Sequence, residues 1–145
     1  MTTAQSCIQN KPKTIYSVRS SDTLDKALEM MRDNRVRAIL VIDDERLVGI
    51  VSQGDCAIKV LLPKKDPQRT PVSEVMTANP LTVKSENTMD ECMAIMVHKH
   101  IRHLPVVDNN IVKGIVSVGD VVKNIMEMQD NHIKFLETYI KGHGS

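Results

Sequence analysis

The sequence predicts an α+β fold built from two β-α-β-β-α units, packed sheet to sheet with pseudo-twofold symmetry and followed by an extended C-terminal helix. Three observations predict it. First, the chain repeats itself. Set against itself at an offset of 65 residues, it aligns without gaps from Ile15 to Val60, with about 14 identities in about 46 positions. Second, each copy carries an apolar i, i+3, i+4, i+7 series, the signature of one buried helix face. Third, each copy has two β-branched segments separated by a polar turn, the pattern of a hairpin. The chain has 145 residues, so one copy alone is too small to bury a full core, and two copies are expected to share one. The copies are assigned to residues 1–66 and 67–145, joined by the Pro- and charge-rich stretch Pro63–Pro71.

The elements follow in chain order. A short strand opens each copy, Thr14–Val18 and Leu81–Val83. Ser20-Ser21-Asp22 and Ser85-Glu86-Asn87 follow as natural helix-capping residues, and Thr88 and Glu91 add capping-box spacing. The helix in copy one is marked by Leu24, Ala27, Leu28 and Met31, and in copy two by Met89, Cys92, Met93 and Met96. Strands Ile39–Ile42 and Leu104–Val107 lead into the turns Asp43-Asp44-Glu45 and Asp108-Asn109-Asn110. Strands Leu47–Ser52 and Ile111–Ser117 complete the hairpins. A second helix starts near Asp55 and Asp120. In copy one it stops at Pro63, whereas in copy two its pattern continues to about Ile140, with Gly142 and Gly144 expected to end it. Some 20 helical residues span about 30 Å, so this helix is expected to overrun its domain and pack on a second subunit.

Composition excludes several functions. There are 19 Lys+Arg and 18 Asp+Glu, a net charge of +1, so no general attraction to nucleic acid or anionic membrane is built in. Aromatic residues make up 2% of the chain, too few for base-stacking platforms. No apolar run reaches the roughly 18 residues that span a bilayer. The polar segment Met1–Lys13 lacks the apolar centre of a signal peptide. Cys7, Cys56 and Cys92 have no CxxC spacing and are odd in number, which indicates reduced thiols acting as small hydrophobes. A cytoplasmic protein is expected. His98, His100 and His103 cluster as HKHIRH, but residues 98 and 100 fall on different helix faces with no Cys or paired carboxylate beside them, so no metal site is expected.

The strongest chemical signal is the doubled GIVSxGD, Gly49–Asp55 and Gly114–Asp120, where a strand hands over to a helix. Unpaired amides at a helix start receive polar ligand atoms. Ser52 and Ser117 add hydroxyls. Asp55 and Asp120 add carboxylates able to accept hydrogen bonds from two adjacent sugar hydroxyls. A purely structural reading makes both aspartates helix N-caps, but retention of the whole heptapeptide in copies that otherwise differ favours a site. The two aspartates lie in separate copies and do not form one acid/base pair. There is no P-loop, metal motif or supported Ser-His-Asp order, so the chain is not expected to be an enzyme.

The doubled unit, with an h-R-x-h-x-V-h-D segment before G-I-V-S-x-G-D, resembles a tandem pair of cystathionine-β-synthase (CBS) domains, a Bateman module, over about Thr14 to Ile125. The C-terminal portion is similar to small stand-alone two-CBS proteins. The resemblance implies two pseudo-equivalent clefts for adenosine ligands: AMP foremost, ADP, ATP or NAD, sometimes S-adenosylmethionine. It also implies a flat homodimer and a separate, unidentified effector protein. In the second site Asp120 would hold the ribose hydroxyls, with Ser117 beside the ribose or first phosphate. Backbone at Ile101, Arg102 and His103 would read adenine, Leu81 and Ile115 would flank it, and Thr77 and Asn79 would line the mouth. The first site would use Asp55, Ser52, Val36, Arg37, Ala38, Tyr16 and Thr14. Arg37 and Arg102 would reach across the pseudo-twofold to phosphate, for which a guanidinium fork is suited, and His103 would add a donor. The Val-Met-Thr lead-in of the family stands at Val75-Met76-Thr77, with no recognisable counterpart before copy one, so the first site is the less well supported. The alternative to a nucleotide sensor is a dimeric interaction scaffold with degenerate sites.

Overall fold

Two hairpins organise the molecule. The structure is a computed structural model and describes residues 2–12 and 14–143. In the first repeat β2 (Ala38–Asp43) and β3 (Arg46–Ser52) run antiparallel. In the second, β5 (His103–Asp108) and β6 (Ile111–Ser117) do the same. Their tight turns put Asp44 and Glu45, and Asn109 and Asn110, at positive φ, the backbone that matches strand twist in two-residue hairpins. Both hairpins carry the same bulge. Val41 faces Gly49 but Ile42 faces Leu47, leaving Val48 extra, and Val106 faces Gly114 but Val107 faces Val112, leaving Lys113 extra. The strands β3 and β6 approach each other, which brings the two sheets together.

The opening strands are shorter than expected. Only β1 (Ser17–Val18) pairs, in parallel, with β2. Of Leu81–Val83 only Val83 forms a bridge, to Val106. At both places the residues ahead stand at the surface, Thr14 and Ile15 in one case and Leu81 and Thr82 in the other, so no apolar face is buried that would extend the pairing. Helices α2 (Leu24–Asn34) and α4 (Met89–Lys99) cover the sheets through Leu24, Ala27 and Met31, and through Met89, Cys92 and Met96. Each ends on a left-handed residue, Arg35 and His100. Thr88 caps α4 by accepting from the Glu91 amide, but the Glu91 carboxylate is held by Asn87 at 2.6 Å, so the capping box closes on one side only. The repeated Ser20/Asp43 and Ser85/Asp108 pairs are structural. The Ser20 amide donates to Asp43 at 3.0 Å and the Ser85 amide to Asp108 at 3.0 Å, fastening each opening strand to its hairpin.

The expectation of one shared core is corrected: the buried apolar residues form two clusters, one per repeat. Each repeat is completed by a segment from outside its 65-residue match. In the first, Val72 and Val75, on and just beyond a single 3₁₀ turn (Val72–Glu74), fill the core. There β4 (Thr77–Ala78) extends the sheet beside β3. In the second, a helix that sequence reasoning missed, α1 (Ala4–Gln9), plays this part with buried Ala4 and half-buried Cys7 and Ile8. The hydrogen bonds match pair for pair. Leu24 N–H donates to Thr70 O and Met89 N–H to Thr2 O; Val72 N–H to Asp22 O and Ala4 N–H to Asn87 O; Ser73 N–H to Ser20 O and Gln5 N–H to Ser85 O. The two repeats thus exchange their lead-in segments.

After β3 the chain forms α3 (Gln53–Cys56), which widens into a π-helical turn over Ala57–Leu61. After β6 comes α5 (Val118–His143). It runs through Gly142, where an end was expected; Gly144 lies outside the described residues. Among the described residues no helix is long and apolar enough to cross a membrane.

Candidate functional site

The two GIVSxGD corners fold alike. Ser52 is the N-cap of α3 and accepts from the Asp55 amide at 3.1 Å, while the Asp55 carboxylate accepts from the Ser52 amide at 3.1 Å. Asp120 accepts from the Ser117 amide at 2.8 Å and from the Ser117 hydroxyl at 3.0 Å, and its own amide donates back to that hydroxyl at 3.2 Å. The serines are therefore the caps, and the aspartates sit three residues into the turn. Each glycine ahead of these corners meets a lead-in. A Cβ on Gly49 would stand 2.5 Å from Met76 Sδ, and one on Gly114 would stand 2.9 Å from Ile8 Cγ2.

The corners differ in the cation they hold. Lys59, one turn along the same helix, stands 3.5 Å from Asp55 and donates to Val75 O at 3.0 Å. Asp120 instead meets Lys11 from the N-terminal segment at 2.5 Å, and the same ammonium donates to Ile115 O at 2.8 Å. Lys11 and Asp120 are mostly covered, at 30% and 18% side-chain exposure. Their charges reach the neighbouring His103. Burial first, then the charges of Lys11, Arg102 and Arg37, hold the His103 imidazole below its ordinary range, against an upward pull from Asp120. Arg37 of the first repeat therefore bears on the second repeat's corner. With Lys11 paired to Asp120, the net influence of Arg102 and Arg37 there is positive, which suits an anionic group.

The remaining expected residues are spread around these corners. The Arg102 carbonyl accepts from the Val118 amide at 2.9 Å, the Arg37 carbonyl accepts from the Gln53 amide at 3.0 Å, and the Ile101 amide donates to Met96 O at 3.1 Å. Part of the backbone expected to read a base is thus already engaged. Leu81 is exposed and Ile115 half-buried. Thr77 pairs with Ile50, and the Asn79 amide donates to Val48 O at 3.2 Å, so both belong to the edge of the first repeat's sheet. Tyr16 and Val36 pack on the first core, Ala38 is buried opposite Ser52, and Thr14 is exposed. Sequence reasoning missed Ile8, Lys11 and Lys59, while Cys7 packs as the small hydrophobe expected. The signal for Ile8 and Lys11 was an offset of 68 residues, not 65, which sets Cys7-Ile8-Gln9 against Val75-Met76-Thr77 and Lys11 against Asn79.

Cys7 and Cys56 are pushed up to about 11, chiefly by burial and then by the neighbouring Asp120 and Asp55. Burial also raises Cys92. Such thiols stay protonated near neutrality and make poor nucleophiles. Among the described residues no three His, Cys, Asp or Glu side chains are grouped to hold a metal ion. Two surface hollows, about 400 and 570 Å³, lie beside Asp25–Arg32 and beside Val83 and Asn109; neither includes the serine and aspartate of either corner.

Comparison with known proteins agrees with the repeat. The family model for the CBS domain matches residues 12–61 and 72–127. The mitochondrial CBS domain-containing protein CBSX3 of Arabidopsis thaliana is 29% identical over 128 residues, 85% of this chain but 62% of that protein, so this chain spans under two thirds of that relative. A CBS-domain protein structure from Burkholderia ambifaria superposes with a TM-score of 0.83 at 37% identity, covering 87% of this chain and 95% of that one. The structure of CBSX2 in complex with AMP gives a TM-score of 0.74 at 25% identity, with coverage of 88% and 98%.

Proposed function

The chain belongs to the CBS-domain family, and from that premise we propose that it is a non-catalytic sensor of adenosine nucleotides. It binds AMP foremost, or ADP, ATP or NAD, in clefts between the repeats and signals to a separate effector protein by a change of shape. The observation that carries this reading is the second corner. Asp120 and Ser117 offer acceptors for a ribose diol, and the charges of Arg37 and Arg102 bear on the His103 imidazole beside them. The AMP held by the CBSX2 neighbour supports the ligand class. The ligand acts by its differential affinity for two states of the cleft. The first corner, with Asp55 and Ser52, is the weaker site. The protein works as a homodimer in a reducing compartment, the cytoplasm; three free cysteines support the compartment.

A thermal-shift panel tests the reading. At 100 times its dissociation constant a ligand stabilises by about 2.7 kcal/mol. Asp120→Ala should remove most of the AMP shift and Asp55→Ala less of it. Equal and negligible losses from both would overturn the site assignment. One observation favours a second reading, a dimeric scaffold with degenerate sites: neither of the two surface hollows includes the serine and aspartate of either corner. No shift with any adenosine ligand would decide for that reading.

A further inference from the structure

We propose that Lys11 is a tethered internal occupant of the second site and competes there with nucleotide. This rests on the nucleotide reading and adds what sets the site's occupancy. Three observations carry it. The Lys11 ammonium makes the contacts a sugar diol would need: it stands 2.5 Å from the Asp120 carboxylate and donates to Ile115 O at 2.8 Å. An ammonium offers three N–H donors and no acceptor, so it satisfies a carboxylate and a carbonyl as paired hydroxyls would. The contact is not made by the repeat itself. It is delivered by a short segment whose helix α1 docks by backbone bonds from Ala4 to Asn87 O and from Gln5 to Ser85 O, and through Ile8 against Gly114. Lastly, the first corner lacks this device. Residue 79 stands at the equivalent place in the exchanged lead-ins, and Asn79 carries no charge, while Asp55 keeps Lys59 from its own helix at 3.5 Å.

A ligand that takes the Asp120 oxygen held by Lys11, Oδ2, must displace the ammonium. The lead-in then loses one of its ties to the second repeat. Occupancy is thereby transmitted to residues 4–11, a surface that changes with ligand.

The test uses the full chain and AMP. In an Asp55→Ala background, which isolates the second site, calorimetry should find AMP bound about three- to tenfold more tightly after Lys11→Ala, the size of losing one partly covered competing ion pair. Hydrogen exchange at the amides of residues 4–11 should accelerate when AMP is added to the chain carrying Lys11. Unchanged or weaker AMP binding by the Lys11→Ala chain would overturn the proposal, as would lead-in amides that stay equally protected at saturating AMP. Absence of binding in every variant, with AMP, ADP, ATP and NAD alike, would instead bring down the nucleotide reading, and the competition with it.

Discussion

His103 ties the candidate site to pH. Its imidazole is held below its ordinary value of 6.5 by burial and then by Lys11, so the unfolded chain takes up a proton before the folded chain does. The stability owed to neutral His103 is therefore full above about pH 6.5 and is lost as pH falls from there through the lowered value. His103→Gln, which cannot titrate, should lose less melting temperature between about pH 7.5 and about pH 5.5 than the natural chain. An equal loss would refute the linkage. At this scale the two corners of the candidate site were legible. Ser52, Asp55, Ser117 and Asp120 stood out because a strand-to-helix corner needs that chemistry twice. Repetition alone did not separate roles, since Ser20 and Asp43 recur only to fasten a strand to its hairpin. Lys11 was invisible because its counterpart, Asn79, shares no chemistry with it and lies at a different offset.

The elements that could be read were those with a period. Alternation and polar turns placed both hairpins, and apolar stripes placed α2 and α4, because each buries one face against its own sheet. The edges could not be read this way. Two-residue pairings such as β1 and β4 depend on what lies beside them, and α1 is six residues long, too short to hold without the second repeat beneath it. The glycine of each corner tests how tightly the lead-ins dock. Gly49→Ala would drive a methyl to 2.5 Å from Met76 Sδ and 3.0 Å from Thr77 O, part of the sheet edge. It should cost about 1–3 kcal/mol in denaturant unfolding. Gly114→Ala meets only the Ile8 side chain, on the six-residue helix α1. Its cost should be smaller, with faster exchange of residues 4–11 as the main effect. The opposite order would mean that α1 is held more firmly than β4. The turn at Asp44-Glu45 gives a stabilising counterpart. Both residues have positive φ, so Asn-Gly in their place should raise stability by about 0.5–1 kcal/mol, and a loss would contradict the turn geometry.

For the whole molecule, the exposed apolar side chains are concentrated on two helices. Ile58, Leu61 and Leu62 follow the first corner, and Val122, Met126, Ile133, Leu136 and Ile140 recur along α5 at spacings of three, four and seven residues or multiples of them. Such a stripe suits helix pairing. Sedimentation should find the full chain dimeric, and a chain ending at Met128 should dissociate at concentrations where the full chain does not. An unchanged oligomeric state would show that the outer half of α5 takes no part. The exchange of lead-ins has its own consequence. Neither half holds all the parts of its own interior, because Val72 and Val75 serve the unit that precedes them and Ala4 serves the one that follows. Residues 1–66 and 67–145, produced as separate polypeptides, should each be unstable alone yet reconstitute a folded whole when mixed. An ancestor of a single unit would have met the same need by lending its leading arm to an identical neighbour, and gene fusion would then have made that loan permanent.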